Sequence, residues 1–299
     1  MNKQGPRVDV IIPTHNRWPM VKDAVDSVLT QSYHNLGCIV VDDASTDGSV
    51  KNLQEIFGDK IQILSNTENR EKSYNRNRGV LESKADYVCF LDSDDVLLPN
   101  AVTDRLAVFE KDPSFHGVVY GFTRAEDEST EVGDHQGVST LDVGTYLKDK
   151  GDLRTNSYLI ERQVMLDKGM YNESLTNRED IELFVRLMCQ MEFRCCGTLV
   201  SQYRKSAPTR ARDDWKKIIS QGTGLTDAIA RDNKLLKLLG EHYIKMRASE
   251  YQELLRALYR AKSYKQFIGV YQQAVEEGVS LTSRFKRRYL FSHIMKYCI

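Results

Sequence analysis

The sequence predicts an α/β protein: a mostly parallel β-sheet flanked by helices, followed by an all-helical C-terminal extension. Three observations carry that expectation. Short apolar runs alternate with segments of helical periodicity in the first part of the chain, and such alternation builds a parallel sheet with its crossovers packed on both faces. Two of the apolar runs end in clustered carboxylates, Asp42-Asp43 and Asp92, Asp94 and Asp95, and open α/β sheets bind ligands beyond the carboxyl ends of their strands. Past Ser206 the strand-like runs stop, and Leu, Ile, Tyr and Ala recur at helical spacing.

VDVIIPTHN opens the series as a short apolar strand ending in a polar turn. In WPMVKDAVDSVLTQS, Pro19 suits a first helical turn, and Val21, Ala24, Val25, Val28 and Leu29 recur at helical spacing. LGCIVVDDASTDGSVKNLQEIFG repeats the unit: Ile39, Val40 and Val41 run into Asp42 and Asp43, and an Asp or Ser caps the next helix. IQILSN gives a third strand and SYNRNRGVLESK a third helix. ADYVCFLDSDDVLLP gives a fourth strand, buried on both faces, because Val88, Cys89, Phe90 and Leu91 form an unbroken apolar run. Pro99 then opens the helix NAVTDRLAVFEKD.

After that helix the pattern changes. HGVVYGFTRAED and a polar turn around EVGDHQG suggest a strand leading into a hairpin or loop, and NSYLIER and EFRCCGTLVSQYR read as further strands. NREDIELFVRLMCQ, with Ile181, Leu183, Phe184, Leu187 and Met188, reads as a largely apolar helix. Mixed strands of this kind are expected at the edges of a parallel core. The change of composition divides the chain into 1–205 and 206–299. The last stretch, SRFKRRYLFSHIMKYCI, mixes Arg284, Lys286, Arg287, Arg288 and Lys296 with Phe285, Tyr289, Leu290, Phe291, Ile294 and Met295. It suits either a helix docked on its own domain or a segment in a membrane interface, its basic face toward anionic headgroups.

Composition narrows the function classes. Lys and Arg number 42 and Asp and Glu 42, so no global charge calls for nucleic acid, and none is expected as a partner. Hydrophobic residues at 41% are too many for a disordered chain. No apolar run is long enough to span a bilayer, and the start MNKQGPRVDV lacks the layout of a signal peptide. The expected location is cytoplasmic, with peripheral contact on the inner face of the membrane left open by the last stretch. Six cysteines, Cys38, Cys89, Cys189, Cys195, Cys196 and Cys298, form no CxxC pair, and no histidines stand at zinc spacing. Most read as reduced core residues; Cys195-Cys196 is the exception, since neighbours on a strand face opposite sides. Neither Gly-x-Gly-x-x-Gly nor Gly-Lys-Ser/Thr occurs, which removes the ordinary dinucleotide and P-loop readings.

The carboxylates at Asp92, Asp94 and Asp95 repel one another at neutral pH, so a positive group belongs there, and a divalent metal ion is the first candidate. In order and spacing, VIIPTHNR, SVLTQSYHNLGCIVVDDASTDGS, NREKSYNRNRG and YVCFLDSDDVLLP resemble the nucleotide-sugar-binding half of family 2 glycosyltransferases. Those proteins have the GT-A fold, a Rossmann-like mixed sheet flanked by helices. The likeness covers roughly the first two-thirds of the chain, and four ordered motifs are far more specific than one acidic cluster.

The resemblance implies an inverting transferase, of hexosyl or N-acetylhexosaminyl groups. It would move a sugar from a nucleotide-diphosphate donor, a UDP-sugar by preference, to a hydroxyl of a glycan or lipid-linked acceptor in surface polysaccharide synthesis. Asp92-Ser93-Asp94 looks like the family's DXD motif. Asp94 is then the contact for Mn²⁺ or Mg²⁺, with Asp92 and Ser93 near the donor. Asp95 orients the turn. Asp43 matches the carboxylate that accepts a hydrogen bond from the donor's base, and Pro13 and Thr14 match the loop lining the base pocket. Asn69, Arg76 and Asn77 fall where the family contacts base or phosphate. Glu71 replaces the usual glycine there and Asn75 the usual alanine. Many relatives carry a histidine after the last core strand, where YRKSAPTR stands here, leaving Arg204 or Lys205 for the diphosphate. His15 reads as a wall of the pocket.

Inversion needs a base opposite the departing phosphate. Glu179-Asp180 resembles the family's ED motif, making Asp180 the base and Glu179 its support or a guide for the acceptor; two acids in a first helical turn also stabilise the helix dipole without any catalytic role. The helical 206–299 segment is left to govern acceptor access, self-association or membrane contact. Two other functions fit parts of the sequence. VCFLDSDDVLL also looks like the first motif of haloacid-dehalogenase-type phosphatases, with Asp92 as nucleophile, although there the motif belongs on the first strand and here three β-α units precede it. A nucleotide-sugar-binding module without turnover is the other, against which the presence of both Asp94 and Asp180 argues.

Overall fold

The computed structural model describes residues 5–126, 140–149, 153–204 and 215–295. The chain forms two compact units, one of Met1–Glu173 with Leu183–Ala207 and one of Ser174–Glu182 with Pro208–Ile299. The expected polar turn EVGDHQG, Lys205 and the chain around the 205/206 division lie outside the described residues.

In the first unit, β1 (Val8–Thr14), β2 (Leu36–Asp42), β3 (Gln62–Ser65) and β4 (Tyr87–Phe90) alternate with α1 (Met20–Leu29), α2 (Ser49–Phe57) and α3 (Glu71–Glu82). These four strands pair in parallel in the order β3-β2-β1-β4, with Thr14 beside Asp42 and Asp42 beside Ser65. Their carboxyl ends therefore share one edge of the sheet. All seven residues of β1 are buried, as a strand covered on both faces requires. α1 packs through Val21, Ala24, Val25 and Val28; Leu29, at its last position, is largely exposed, and Pro19 stands at the N-cap rather than in the first turn. Ahead of α2, the Asp47 carboxylate accepts from the Ser49 N–H and hydroxyl at 3.0 and 2.6 Å, which satisfies a donor the helix start leaves open. α3 presses hard on β1: a Cβ on Gly79 would lie 2.4 Å from Cγ2 of the fully buried Ile11.

The sheet continues with β5 (Val96–Leu97), β6 (Val118–Ala125), β7 (Tyr158–Glu161) and β8 (Phe193–Tyr203), in the full order β3-β2-β1-β4-β7-β6-β8-β5. Antiparallel pairing begins beside β4, in the middle of the sheet, and not only at its margin as the sequence suggested. A 3₁₀ turn, Thr155–Ser157, leads into β7 and meets the segment leaving β4 through the Asp92 N–H on Asn156. Helices α4 (Ala101–Lys111), α5 (Val143–Asp149), α6 (Arg162–Asp167) and α7 (Glu179–Met188) complete this part of the chain. One face of the core gathers Val8, Val10, Ile12, Val21, Val25, Val40 and Leu91 with Val102, Leu106 and Phe109 of α4. Arg105 is buried there too, donating to the carbonyls of Ala101 and Tyr158 at 2.7 and 3.0 Å.

The five described cysteines are free thiols. Only Cys38 and Cys89 are core residues, whereas Cys189, Cys195 and Cys196 are half-buried, a narrower result than the expected set of core thiols.

The second unit holds α8 (Trp215–Gln221), α9 (Gly224–Ala230), α10 (Asn233–Leu239), α11 (Glu241–Arg260), α12 (Tyr264–Glu276) and α13 (Ser283–Met295). Its core is Leu254, Leu255, Leu258, Phe267 and Phe285, each side chain contributing about 1.5–3 kcal/mol by burial. Glu250 is buried and accepts from Leu225 N–H, Thr226 N–H and the Thr226 hydroxyl, which fixes the start of α9 against α11; burial pushes its pKa up. The C-terminal helix α13 docks on its own unit through Phe285 and through Tyr289, stacked on Tyr271 at 4.3 Å. No described helix is long and apolar enough to cross a membrane.

Candidate active site

Two clusters of expected residues form at the shared carboxyl edge of the parallel strands. The first joins the ends of β1, β2 and β3. Pro13 and Thr14 close β1, and the Asp43 N–H donates to the Thr14 carbonyl at 2.8 Å, locking the two strand ends together. The Asp43 carboxylate is buried and accepts from the Asn66 side chain at 2.8 Å and from the backbone N–H groups of Arg70 and Glu71 at 2.8 and 3.0 Å. A carboxylate offers about four acceptor positions, so these three donors leave one open among the described residues. The Thr14 hydroxyl is buried and has no hydrogen-bond partner in the protein. Asn69, in the same loop, is exposed and accepts from Glu71 N–H at 3.2 Å.

His15 is held by two hydrogen bonds in the turn after β1. Its Nδ1 lies 2.6 Å from the Asp43 carbonyl, which can only accept, so Nδ1 carries the proton. Nε2 then accepts from the Asn16 amide at 3.1 Å, and that amide's orientation is fixed by Thr46 N–H on its oxygen at 2.7 Å.

The departures at Glu71 and Asn75 have local explanations. Glu71 has φ 65°, the left-handed region that glycine enters freely, which is why a glycine suits the position. Asn75 is buried, accepting from Asn66 at 2.7 Å and donating to the Glu71 carbonyl at 2.9 Å, so it braces the loop under Asp43. Asn77, expected to touch base or phosphate, is corrected: both ends of its amide are engaged by the Tyr171 backbone, at 2.9 Å each, and it also donates to Glu173. Arg78 likewise donates to the Ser65 carbonyl rather than standing in solvent.

The second cluster follows β4. Arg76, only 2% exposed, pairs with Asp92 at 2.7 Å and places its guanidinium 5.1 Å from the centre of the Tyr171 ring. Ser93 is buried behind the turn, whose closure is the Asp95 N–H bonding the Asp92 carbonyl at 3.0 Å. Arg17 approaches Asp94 at 3.8 Å. Burial, and then the neighbouring Asp92, push the Asp94 pKa upward. Asp95 is pushed up to about 7 by burial and by Asp92 and Asp94, against the pull of the Arg204 N–H and the Asn156 amide. Arg204 itself turns its guanidinium to Asp23 at 2.7 Å.

Sequence reasoning missed Asn156. Its oxygen accepts from Asp92 N–H at 2.9 Å and its nitrogen donates to Asp95 at 2.5 Å, so one side chain clamps both ends of the acidic turn. Nothing within NSYLIER marks this asparagine. The role comes from contact across more than sixty positions, as does that of Arg17.

Glu179 and Asp180 lie in the second unit, in the first turn of α7. Glu179 is 1% exposed, so Asp180, half-buried, is the accessible member of the pair. Asp180 accepts from Ile181 N–H at 2.9 Å. It also opposes the lowering of the Arg178 pKa by burial, and Arg178 forms an ion pair with Glu253.

The donor set of the acidic turn suits a hard divalent cation. Burial and then mutual repulsion raise the pKa values of Asp94 and Asp95, and the Arg17 and Arg76 guanidinium groups face Asp94 and Asp92. Among the described residues no group of three or more His, Cys, Asp or Glu forms a complete metal cage. One or two carboxylates completed by phosphate oxygens and water is the manner in which Mg²⁺ and similar ions bind.

Comparisons with known proteins point to one family and one fold. The model of Glycosyl transferase family 2 matches residues 9–175. An uncharacterised glycosyltransferase of Rickettsia felis is 27% identical over 195 residues, 63% of this chain and 32% of the relative. This chain thus spans about a third of the length of the first curated relatives it matches. WfgD of Escherichia coli, a UDP-Glc:α-D-GlcNAc-diphosphoundecaprenol β-1,3-glucosyltransferase, is 23% identical over 77% of this chain and 89% of its own. Among solved structures, S. aureus TarS 1-349 in complex with UDP-GlcNAc superposes with a TM-score of 0.61 at 14% identity, covering 92% of this chain and 93% of that one. The mannosyltransferase PcManGT from Pyrobaculum calidifontis, in complex with GDP-Man and Mn²⁺, gives 0.58 at 18% identity over 96% and 84%. At these identities the superpositions establish the GT-A fold.

Proposed function

The chain belongs to glycosyl transferase family 2, and from that premise we propose that it transfers a sugar, with inversion, from a UDP-sugar to a hydroxyl of a lipid-linked or glycan acceptor in surface polysaccharide synthesis. The observation that carries this reading is the acidic turn: Asp92, Asp94 and Asp95 crowded at the carboxyl edge of the parallel strands, facing Arg76 and Arg17. The printed activity of WfgD and the UDP-GlcNAc complex of TarS support the donor and acceptor classes.

The uracil fits the first cluster, where Asp43 keeps one acceptor position and Thr14 a buried hydroxyl, with Pro13 and His15 as walls and Asn69 at the rim. A Mn²⁺ or Mg²⁺ ion would be held by Asp94, with Asp92 beside it, and would stabilise the negative charge of the departing diphosphate. Arg76 fixes the Asp92 carboxylate, and Asn156 fixes the backbone around it. Asp180 takes the proton of the acceptor hydroxyl as its oxygen forms the new bond to the anomeric carbon. The bond from that carbon to the phosphate oxygen breaks, and its electron pair leaves with the nucleoside diphosphate. Glu179, buried beside Asp180, supports the base rather than touching the acceptor.

A panel of nucleotide sugars incubated with the protein and Mn²⁺, followed by NMR, tests this. Slow hydrolysis of a UDP-sugar releasing the inverted anomer is expected, and Asp180→Asn reduces the rate about 10²–10⁴-fold. Release of the retained anomer, or an unchanged rate in Asp180→Asn, overturns it. The phosphatase alternative required the acidic motif on a first strand; it follows β4, after three β-α units.

A further inference from the structure

The outer surface of the helical unit carries charged and apolar side chains that sugar transfer does not use. α13 contains no acidic residue. Its inward side is taken by Phe285 and Ser292, both buried, and by Tyr289 on Tyr271. Its outward side is divided along the axis. Arg284, Lys286 and Arg287 are exposed in the first turns, and Leu290, Phe291 and Ile294 are 60%, 42% and 65% exposed in the last two. Docking on α11 and α12 occupies the inward side of the helix, as one of the two expected readings had it.

Neighbouring elements enlarge the basic half. Arg288 lies 4.3 Å over the Tyr259 ring, and Arg256 of α11 lies 6.0 Å from the Phe285 ring centre. Burial, followed by the charges of Arg284, Arg256 and Arg260, lowers the Arg288 pKa against the pull of Tyr259. A chain with as many acidic as basic residues thus sets three exposed bases of α13, with Arg288, Arg256 and Arg260 near enough to act on one another, beside three large apolar side chains.

We propose that this face is a peripheral docking surface for anionic phospholipid, with the basic half on the headgroups and Leu290, Phe291 and Ile294 entering the acyl boundary. The charge decides the occupant. A second copy would bring the same arginines face to face across a two-fold contact, which like charges oppose. A nucleic acid would match the bases but leave the apolar side chains in water. An anionic bilayer surface satisfies both halves. The proposal stands independently of the transfer reaction.

Full-length protein is to be sedimented with vesicles of phosphatidylcholine alone and of phosphatidylcholine mixed with phosphatidylglycerol. Binding to the mixed vesicles only, weakened by salt, is the expected result. Lys286→Glu with Arg287→Glu should weaken it by more than about 20-fold, at about fivefold per lost charge. Leu290→Glu should weaken it even at low salt. These side chains are exposed, and Lys286→Ala with Arg287→Ala makes the same test should charge reversal disturb folding. Equal binding to neutral vesicles, no binding, or no effect of the variants overturns the proposal. Self-association abolished by the same variants assigns the face to a second copy, and preferential retention on an oligonucleotide assigns it to a nucleic acid; either overturns it. Hydrolysis of UDP-sugar in solution, expected unchanged in every variant, reads the transfer proposal separately.

Discussion

The loop after β2 and the turn after β4 both end a parallel strand in carboxylates, but the protein treats the two groups differently. Asp43 is surrounded by neutral donors, two backbone N–H groups and an amide. Asp92 faces the Arg76 guanidinium and Asp94 that of Arg17, while Asp95, beside them, takes the Asn156 amide and the Arg204 N–H. Dipoles satisfy one carboxylate and fix its shape before any ligand arrives. Burying and crowding like charges makes the other place favour a positive partner. Under the proposed function, one residue type at equivalent strand ends serves an uncharged base at the first place and a metal-bound diphosphate at the second.

The contrast can be broken from the metal side first. Asp94→Ala should reduce transfer at least about 10³-fold, near 4 kcal/mol of transition-state stabilisation. It should also abolish Mn²⁺ binding by electron paramagnetic resonance, while circular dichroism stays unchanged. On the other side, Asp43→Ala strands three donors. A loss of about 3 kcal/mol in urea unfolding is expected, at about 1 kcal/mol for each hydrogen bond.

The pH dependence of stability sharpens the comparison. Asp95 titrates near 7 in the folded chain against an ordinary value of 3.8. Between about pH 4 and 7 the folded chain therefore holds a proton that the unfolded chain has released. Its contribution is fully present below about pH 4 and is lost as pH rises through about 7, on the order of 4 kcal/mol. Asp95→Asn should flatten that slope in melting experiments run across the window. The smallest effect belongs to Glu71. Glu71→Gly should leave stability within about 0.5 kcal/mol, since relief at positive φ and the added freedom of the unfolded chain offset each other. Glu71→Val should cost about 1 kcal/mol more.

Much of the parallel half was readable because its signals are local. Buried strands show as apolar runs, helices show a 3.6-residue period, and carboxylates stand directly after β2 and β4. The other half was less readable. β5 has two residues and exists only through pairing with β8, and α5 and α6 are too short to show a period. The direction of β7 shows only in its pairing with β4 and β6. Within the site, residue types were legible but their partners were not: Arg76 was expected at a phosphate and is found on Asp92, and Asn156 acts over a distance in sequence that no pattern records.

Gly79 stands one helical turn after Arg76 on α3, in direct contact with Ile11 of β1. Any larger residue must lift that helix by something on the order of an ångström, since close-packed interiors do not yield locally. The Arg76 guanidinium on Asp92 would travel with it. A mutational survey scored by turnover alone would therefore mark an inert hydrogen atom, deep in the oily layer, as though it took part in the chemistry.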